Sequence, residues 1–151
     1  MKAKQLFDTV LDTLEFCGMT CSDNIVNMII ETACVESNCG EYIKQLKGPA
    51  CSIFQIEPRT ANDLIANFIT KNKLRLDNFA KLYNGNLTLE QNLCTNLMFA
   101  IFMCRMFYLR IKEPIPSTVE LRAKYWKKYY NTEKGKGTVE KYIKAVDKYY
   151  K

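Results

Sequence analysis

Apolar positions recur at steps of three and four through most of the chain. Leu6, Phe7, Val10, Leu11, Leu14 and Cys17 fall on one stripe of a 3.6-residue helix, and Gly18 ends it. Ser22 or Asp23 supplies the capping oxygen of a second helix, along which Ile25, Val26, Ile29, Ile30 and Ala33 carry the stripe to about Ser37. Thr60 with Asp63 reads as a capping box for a helix through about Ile69. Thr88 starts the most apolar helix of the chain, running through about Arg110. The segment 113–117, Glu-Pro-Ile-Pro-Ser, breaks the pattern. Ser117 with Glu120 reopens it to about Tyr130, and after a loop a terminal helix runs from Thr138 to about Tyr149.

One stretch does not fit. Between Cys39 and Pro58 the helical period fails, Gly40, Gly48, Pro49 and Pro58 punctuate the chain, and the run from Cys51 to Ile56 reads as a long loop or a small β element of two or three strands. The expectation is a mainly α fold with a long, buried central helix and one small β or loop excursion after the second helix. A chain of 151 residues, close to half of them apolar, buries one sizeable core and is too short for two, so 1–151 reads as a single domain.

Composition then removes function classes. There are seven cysteines, an odd number without Cys-x-x-Cys spacing, and no histidine. No zinc motif is visible, and the usual base for a cysteine or serine nucleophile is missing. No metal or organic cofactor is indicated. Cys34, Cys94 and Cys104 sit in apolar helical runs as small hydrophobes. Reduced thiols and cytosolic synthesis are expected, with Cys39 and Cys51 the pair to test for a disulfide.

The N-terminus is amphipathic and carries Asp8, Asp12 and Glu15, so it reads as a helix and not as a signal peptide. The apolar run from Leu93 to Leu109 is interrupted by Thr95, Asn96 and Arg105 and reads as a buried helix without stable membrane insertion. Lys and Arg outnumber Asp and Glu by 22 to 16, and the excess lies at the C-terminal end, where 122–151 is rich in Lys and Tyr. Such a face favours an anionic partner, whether nucleic acid, membrane or cell-wall polymer.

The candidate chemistry lies in 31–58. Glu36 ends an apolar helix, a glycine-containing loop follows, and Phe54-Gln55-Ile56-Glu57-Pro58 comes about twenty residues later. A carboxyl at the end of an apolar helix loses hydration, its charged form is disfavoured, and its pKa rises. A general acid working at neutral pH needs that property.

Glu36-Ser37, the glycines after it and Phe54-Gln55 resemble the Glu-Ser and Leu-Met-Gln signatures of lytic transglycosylases and goose-type lysozymes, over about 30 residues. The longer order of elements, with Gly-Pro-Ala-Cys-Ser-Ile-Phe-Gln-Ile-Glu-Pro at 48–58 and the Tyr-Trp-rich stretch 125–138, resembles small phage endolysins of lysozyme-like α+β fold. Two departures stand out. Ser52 replaces the glycine that usually precedes the apolar pair, and the Ala-Tyr-Asn-Ala-Gly motif of many transglycosylases is absent.

The resemblance implies that Glu36 protonates the glycosidic oxygen between N-acetylmuramic acid and N-acetylglucosamine, with Gln55 across the cleft. It also implies peptidoglycan as substrate, host-cell lysis as outcome, and synthesis in the host cytoplasm with holin-dependent access to the periplasm. Glu57 and Glu41 are candidates for a second carboxylate. Glu31 faces another side of the helix and reads as solvated or salt-bridged. Ser37, Ser52, Tyr42, Tyr108, Tyr129, Tyr130 and Asn131 are candidates for substrate contact, because sugar rings stack on aromatic faces. Helical spacing lets Trp126 and Tyr130 share one face, with Trp126 either a sugar platform or core.

Two other readings compete. One is a helical module that binds nucleic acid through 122–151, although no nucleic-acid fingerprint is present and none is expected as a partner. The other is a lysozyme-like virion component without activity. A monomer is expected in the enzymatic reading.

Overall fold

The computed structural model of the chain describes all 151 residues. Eight α-helices dominate it, and β structure is limited to two isolated bridges, Lys44 with Cys51 and Cys51 with Ile56. Of the two alternatives for 39–58, a long loop or a small β element, the structure has an irregular loop that doubles back on itself.

Helix α1 (Ala3–Phe16) buries Leu6, Val10 and Leu14 on one face, and Gly18, at φ 64°, turns the chain away from it. Helix α2 (Asp23–Ser37) is capped by Ser22, whose side chain accepts from the Ile25 N–H. Its buried face is wide, because α1, α6 and α8 all pack on it. Asn38 ends α2 in the left-handed conformation, at φ 53°.

Helix α3 (Pro58–Asn67) starts two residues before the expected Thr60 cap. Pro58 occupies the first turn, where its missing N–H costs nothing, and Glu57 holds the cap position without a side-chain cap bond. A 3₁₀ turn (Ile69–Lys71) leads to α4 (Lys73–Leu82), which has no counterpart in the periodicity reading. Leu74 and Leu76 lie exposed in α4, so its apolar stripe is faint. Leu82 and Phe79, whose ring meets Phe99 edge-on, still join it to the core, and it is fixed further by its Asn72 cap and by Asn78, whose buried amide donates to Cys17 O at 3.0 Å.

The single helix expected over 88–110 is two. Helix α5 (Leu89–Thr95) opens with the Thr88–Gln91 capping box, and α6 (Leu97–Arg110) leaves it at 104°. Asn96 makes the corner: its Nδ2 donates to Leu82 O at 2.7 Å while its Oδ1 accepts from the Phe99 N–H at 3.1 Å. A short amide side chain that competes for backbone bonds ends one helix and caps the next. Every residue from Phe99 to Met106 is buried, so α6 is the apolar axle of the molecule. No single helix is long and apolar enough to cross a membrane.

Helix α7 (Val119–Trp126) is capped by Thr118, one residue later than expected, and passes into a π turn (Lys127–Asn131). Helix α8 (Val139–Tyr149), capped by Thr138, lays Tyr142 and Val146 against α2 and leaves its lysines outside. One continuous cluster of 34 buried apolar residues joins all these elements except the exposed tip of the 40–49 loop.

Two buried details decide between alternatives the sequence left open. Glu31 is salt-bridged and not solvated: it is sealed in the core with Arg122 of α7, whose Nε donates to its Oε2 at 2.6 Å. All seven cysteines are free, and Cys39 lies beside Cys34, whose proximity lowers its pKa.

Candidate active site

The last turn of α2 delivers two neighbouring side chains to different tasks. Successive helical residues point about 100° apart, so Glu36 faces outward into a cleft while Ser37 faces inward. Ser37 is fully buried; its Oγ donates to Ile53 O at 2.6 Å and accepts from the Gly40 N–H at 2.9 Å. The Glu-Ser pair is thus an acid and a rivet. Ser37 makes no contact with the cleft and fixes the 51–56 loop to the helix that carries the acid.

That loop is tight and strained. Cys51 and Ile56 exchange both backbone bonds at 2.8 Å, Phe54 N–H donates to Ser52 Oγ at 3.0 Å, and Gln55 Nε2 donates to Ser52 O at 2.8 Å. Ser52 at φ 74° and Gln55 at φ 50° both occupy the left-handed region, which costs a non-glycine residue roughly 1–2 kcal/mol each. Such strain persists only where surrounding bonds enforce it, and it gathers at functional sites. Here it lets Ser52, buried, close the turn while Gln55 stays at the cleft wall.

The cleft, of about 900 Å³, is lined by Glu36, Phe107 and Tyr130 together with Gln55, Glu57 and Arg59. Tyr42, Lys44 to Lys47, Asn131, Thr132 and Gly135 complete the lining. Glu36 is half-buried in this wall. Loss of hydration pushes its carboxyl up to about 7, and a single hydrogen bond, from Trp126 Nε1 to Oε1 at 2.9 Å, pulls the other way. Desolvation wins because one neutral N–H replaces only part of the lost water.

Trp126 is core and not a sugar platform: its ring is sealed against Tyr142, and only its N–H matters to the cleft, as the group that orients Glu36. Gly137 is required beside it. A Cβ at that position would overlap the edge of the Trp126 ring and approach Asn131 Nδ2 at 2.8 Å.

The π turn after Trp126 widens the helix and spreads the aromatic residues. Tyr130 reaches across to donate to Phe54 O at 2.5 Å and stacks on Tyr108 with ring centroids 5.4 Å apart. Lys127, which the sequence reading did not single out, donates to Asn131 Oδ1 at 2.7 Å, Thr132 O at 2.8 Å and Gly135 O at 3.0 Å. All three ammonium protons are used, and the 131–135 rim is held as one piece. No signal in the sequence marks that role.

Of the predicted contacts, Tyr42, Gln55, Glu57, Tyr130 and Asn131 border the cleft with Glu36. The others do not. Tyr108 is buried beneath Tyr130, bonded to Thr32 Oγ1 at 2.8 Å, and cannot reach a sugar. Tyr129 turns to the far side of the π turn, packing on Tyr125 and donating to the Glu113 carboxylate. Ser37 and Ser52 are loop fasteners. Glu41 accepts from Asn38 Nδ2 at 2.8 Å away from the cleft, which leaves Glu57 as the second carboxylate, at the mouth, with Arg59 at 4.0 Å.

No group of three or more His, Cys, Asp or Glu side chains is arranged to hold a metal ion. The chemistry of the site is that of a protonated carboxyl in an open groove with hydrogen-bonding and cationic walls, suited to acid catalysis on an extended polar ligand. Compared with known protein families, with curated proteins and with solved structures, the chain matches none.

Proposed function

We propose that the chain is a peptidoglycan glycosidase of lysozyme-like α+β type in which Glu36 is the general acid. The observation that carries this reading is a carboxyl of raised pKa, about 7, held by Trp126 in the wall of a long open cleft. The resemblance of 31–58 and 125–138 to phage endolysins supports it, since the residues that carry the resemblance are those that build the cleft.

In the reaction, Glu36 enters protonated and gives its proton to the glycosidic oxygen between N-acetylmuramic acid and N-acetylglucosamine. The bond from that oxygen to the anomeric carbon breaks as positive charge develops on the ring, and the resulting Glu36 carboxylate lies beside it. Gln55, which also lines the cleft, holds the sugar or a water. Glu57 is the candidate to orient the attacking group, and Tyr130 and Asn131 line the groove where the strand lies. Phe107, exposed to the cleft beside Glu36, adds an apolar face for a sugar ring. The biological setting proposed is an endolysin: synthesis in the host cytoplasm, access to the wall through a holin lesion, and lysis of the host.

Mass spectrometry of muropeptides released from purified peptidoglycan by the wild type and by Glu36→Gln tests the reading. Expected are fragments that end in N-acetylmuramic acid and disappear with the variant. A 1,6-anhydro end assigns capture by the substrate's own hydroxyl, and a reducing end assigns capture by water. Failure of the wild type to release fragments from any of several wall types overturns the proposal.

A further inference from the structure

Away from the cleft, and sharing no lining residue with it, a second cavity of about 350 Å³ opens between the N-terminus of α2, the C-terminal half of α6 and the 111–115 turn. Arg105 of α6 lines it. The residue is only 8% exposed, yet its guanidinium makes no ion pair with any carboxylate and no hydrogen bond with any protein group, and its Nε is enclosed without a partner. Every other buried charge is matched: Arg122 has Glu31.

A guanidinium stays charged, and burying an unpaired charge costs several kcal/mol unless a counter-charge is supplied. The protein does not supply one here. The one carboxylate lining the cavity, Glu113, is engaged by Tyr129 and by Lys128 at 3.7 Å. The remaining polar lining consists of Ser22, Asn24 and the exposed Lys112, which adds a second positive charge.

We infer that this cavity is a binding site for an oxyanion, a phosphate or carboxylate group, gripped by the Arg105 fork from below and by Lys112 at the rim. The planar fork presents parallel N–H donors matched to two oxygens of such a group, and the low-dielectric surroundings strengthen the bond. The cavity suits one small anionic group and not a polymer. This assignment is independent of the glycosidase reading, since no step of that reaction uses Arg105.

Thermal unfolding of the wild type and Arg105→Met with added inorganic phosphate or acetate, each against sodium chloride of equal ionic strength, provides the test. Sedimentation with vesicles of phosphatidylglycerol, against phosphatidylcholine, separates a lipid-borne group from a free one. Expected for a free anion is a rise in the wild-type Tm by about 3–6 °C at tenfold its Kd, absent in Arg105→Met. Expected for a lipid headgroup is Arg105-dependent pelleting with phosphatidylglycerol alone. Arg105→Lys keeps the charge without the fork and should show a reduced response, which keeps the test open if the methionine variant fails to fold. If neither anion shifts the wild type beyond chloride and no pelleting depends on Arg105, the inference is overturned.

Discussion

At Glu36, the proposed acid role and stability oppose each other. The folded-state pKa, about 7, lies above the ordinary 4.5, so the unfolded chain gives up its proton first as pH rises. Stability is fully present below about pH 4.5 and falls between there and about pH 7, because ionising the carboxyl in the fold costs more than ionising it in water. Glu36→Gln removes that cost. Urea unfolding should find the variant more stable than the wild type by about 1–2 kcal/mol at alkaline pH and equal to it in acid, a figure reduced from the full shift because the carboxyl touches the cleft water. Trp126→Phe keeps most of the ring and deletes the N–H. The hydrogen bond lowers the carboxyl's pKa, so its loss moves the alkaline limb of kcat/KM upward, and loss of orientation lowers the plateau roughly tenfold. A pH profile of both enzymes checks it: a limb that stays in place separates Trp126 from the acid. At this scale the sequence was legible for Glu36, since an acidic residue closing an apolar helix is a pattern in itself. Ser37, Tyr108 and Tyr129 were not, because residue type says that a hydroxyl will find a partner and not where.

Among the elements, α2 is held between α8 and α1 by apolar contact, but it is joined to α7 by the Glu31–Arg122 pair, with bonded atoms 2.6 Å apart and both side chains nearly out of water. Burial raises the Glu31 pKa and the Arg122 hydrogen bond opposes it. Arg122→Met leaves a carboxylate alone in the core and should destabilise by about 3–5 kcal/mol, while Glu31→Leu with Arg122→Met should recover most of that loss. Equal stability of the single and double variants in urea would deny the coupling. This pair sets the approach of α7 to α2, and hence the meeting of Trp126 with Glu36, 90 residues apart in sequence. Periodicity gave six helical stretches, which cover seven of the eight helices, because each has a stripe that one core must cover. It missed α4, whose stripe is thin, and it ran α5 into α6, because Asn96 is a polar interruption whose capping bonds depend on Leu82 arriving from elsewhere.

Across the whole molecule the charge is +6, and Lys44, Lys47 and Arg59 are among the residues that line the cleft. Encounter with an anionic wall should therefore be steered. Clearing of intact walls should slow several-fold from low salt to about 0.5 M sodium chloride, where the Debye length falls below about 5 Å, while cleavage of short neutral glycans should change little. Equal salt dependence for both substrates would remove the steering role. The sequence by itself determined the helical class, the place of the irregular 39–57 excursion and the desolvated carboxyl of Glu36, because these follow from local periodicity, turn chemistry and the hydration of one group. Only the tertiary structure decided that the excursion is a strained loop and not a sheet, that Trp126 and Tyr130 split one helix face into an orienting group and a loop clamp, and that Arg105 lies buried without a partner. Each of these depends on which groups meet across long stretches of chain, where a hydrogen bond or its absence is fixed by packing and leaves no local trace.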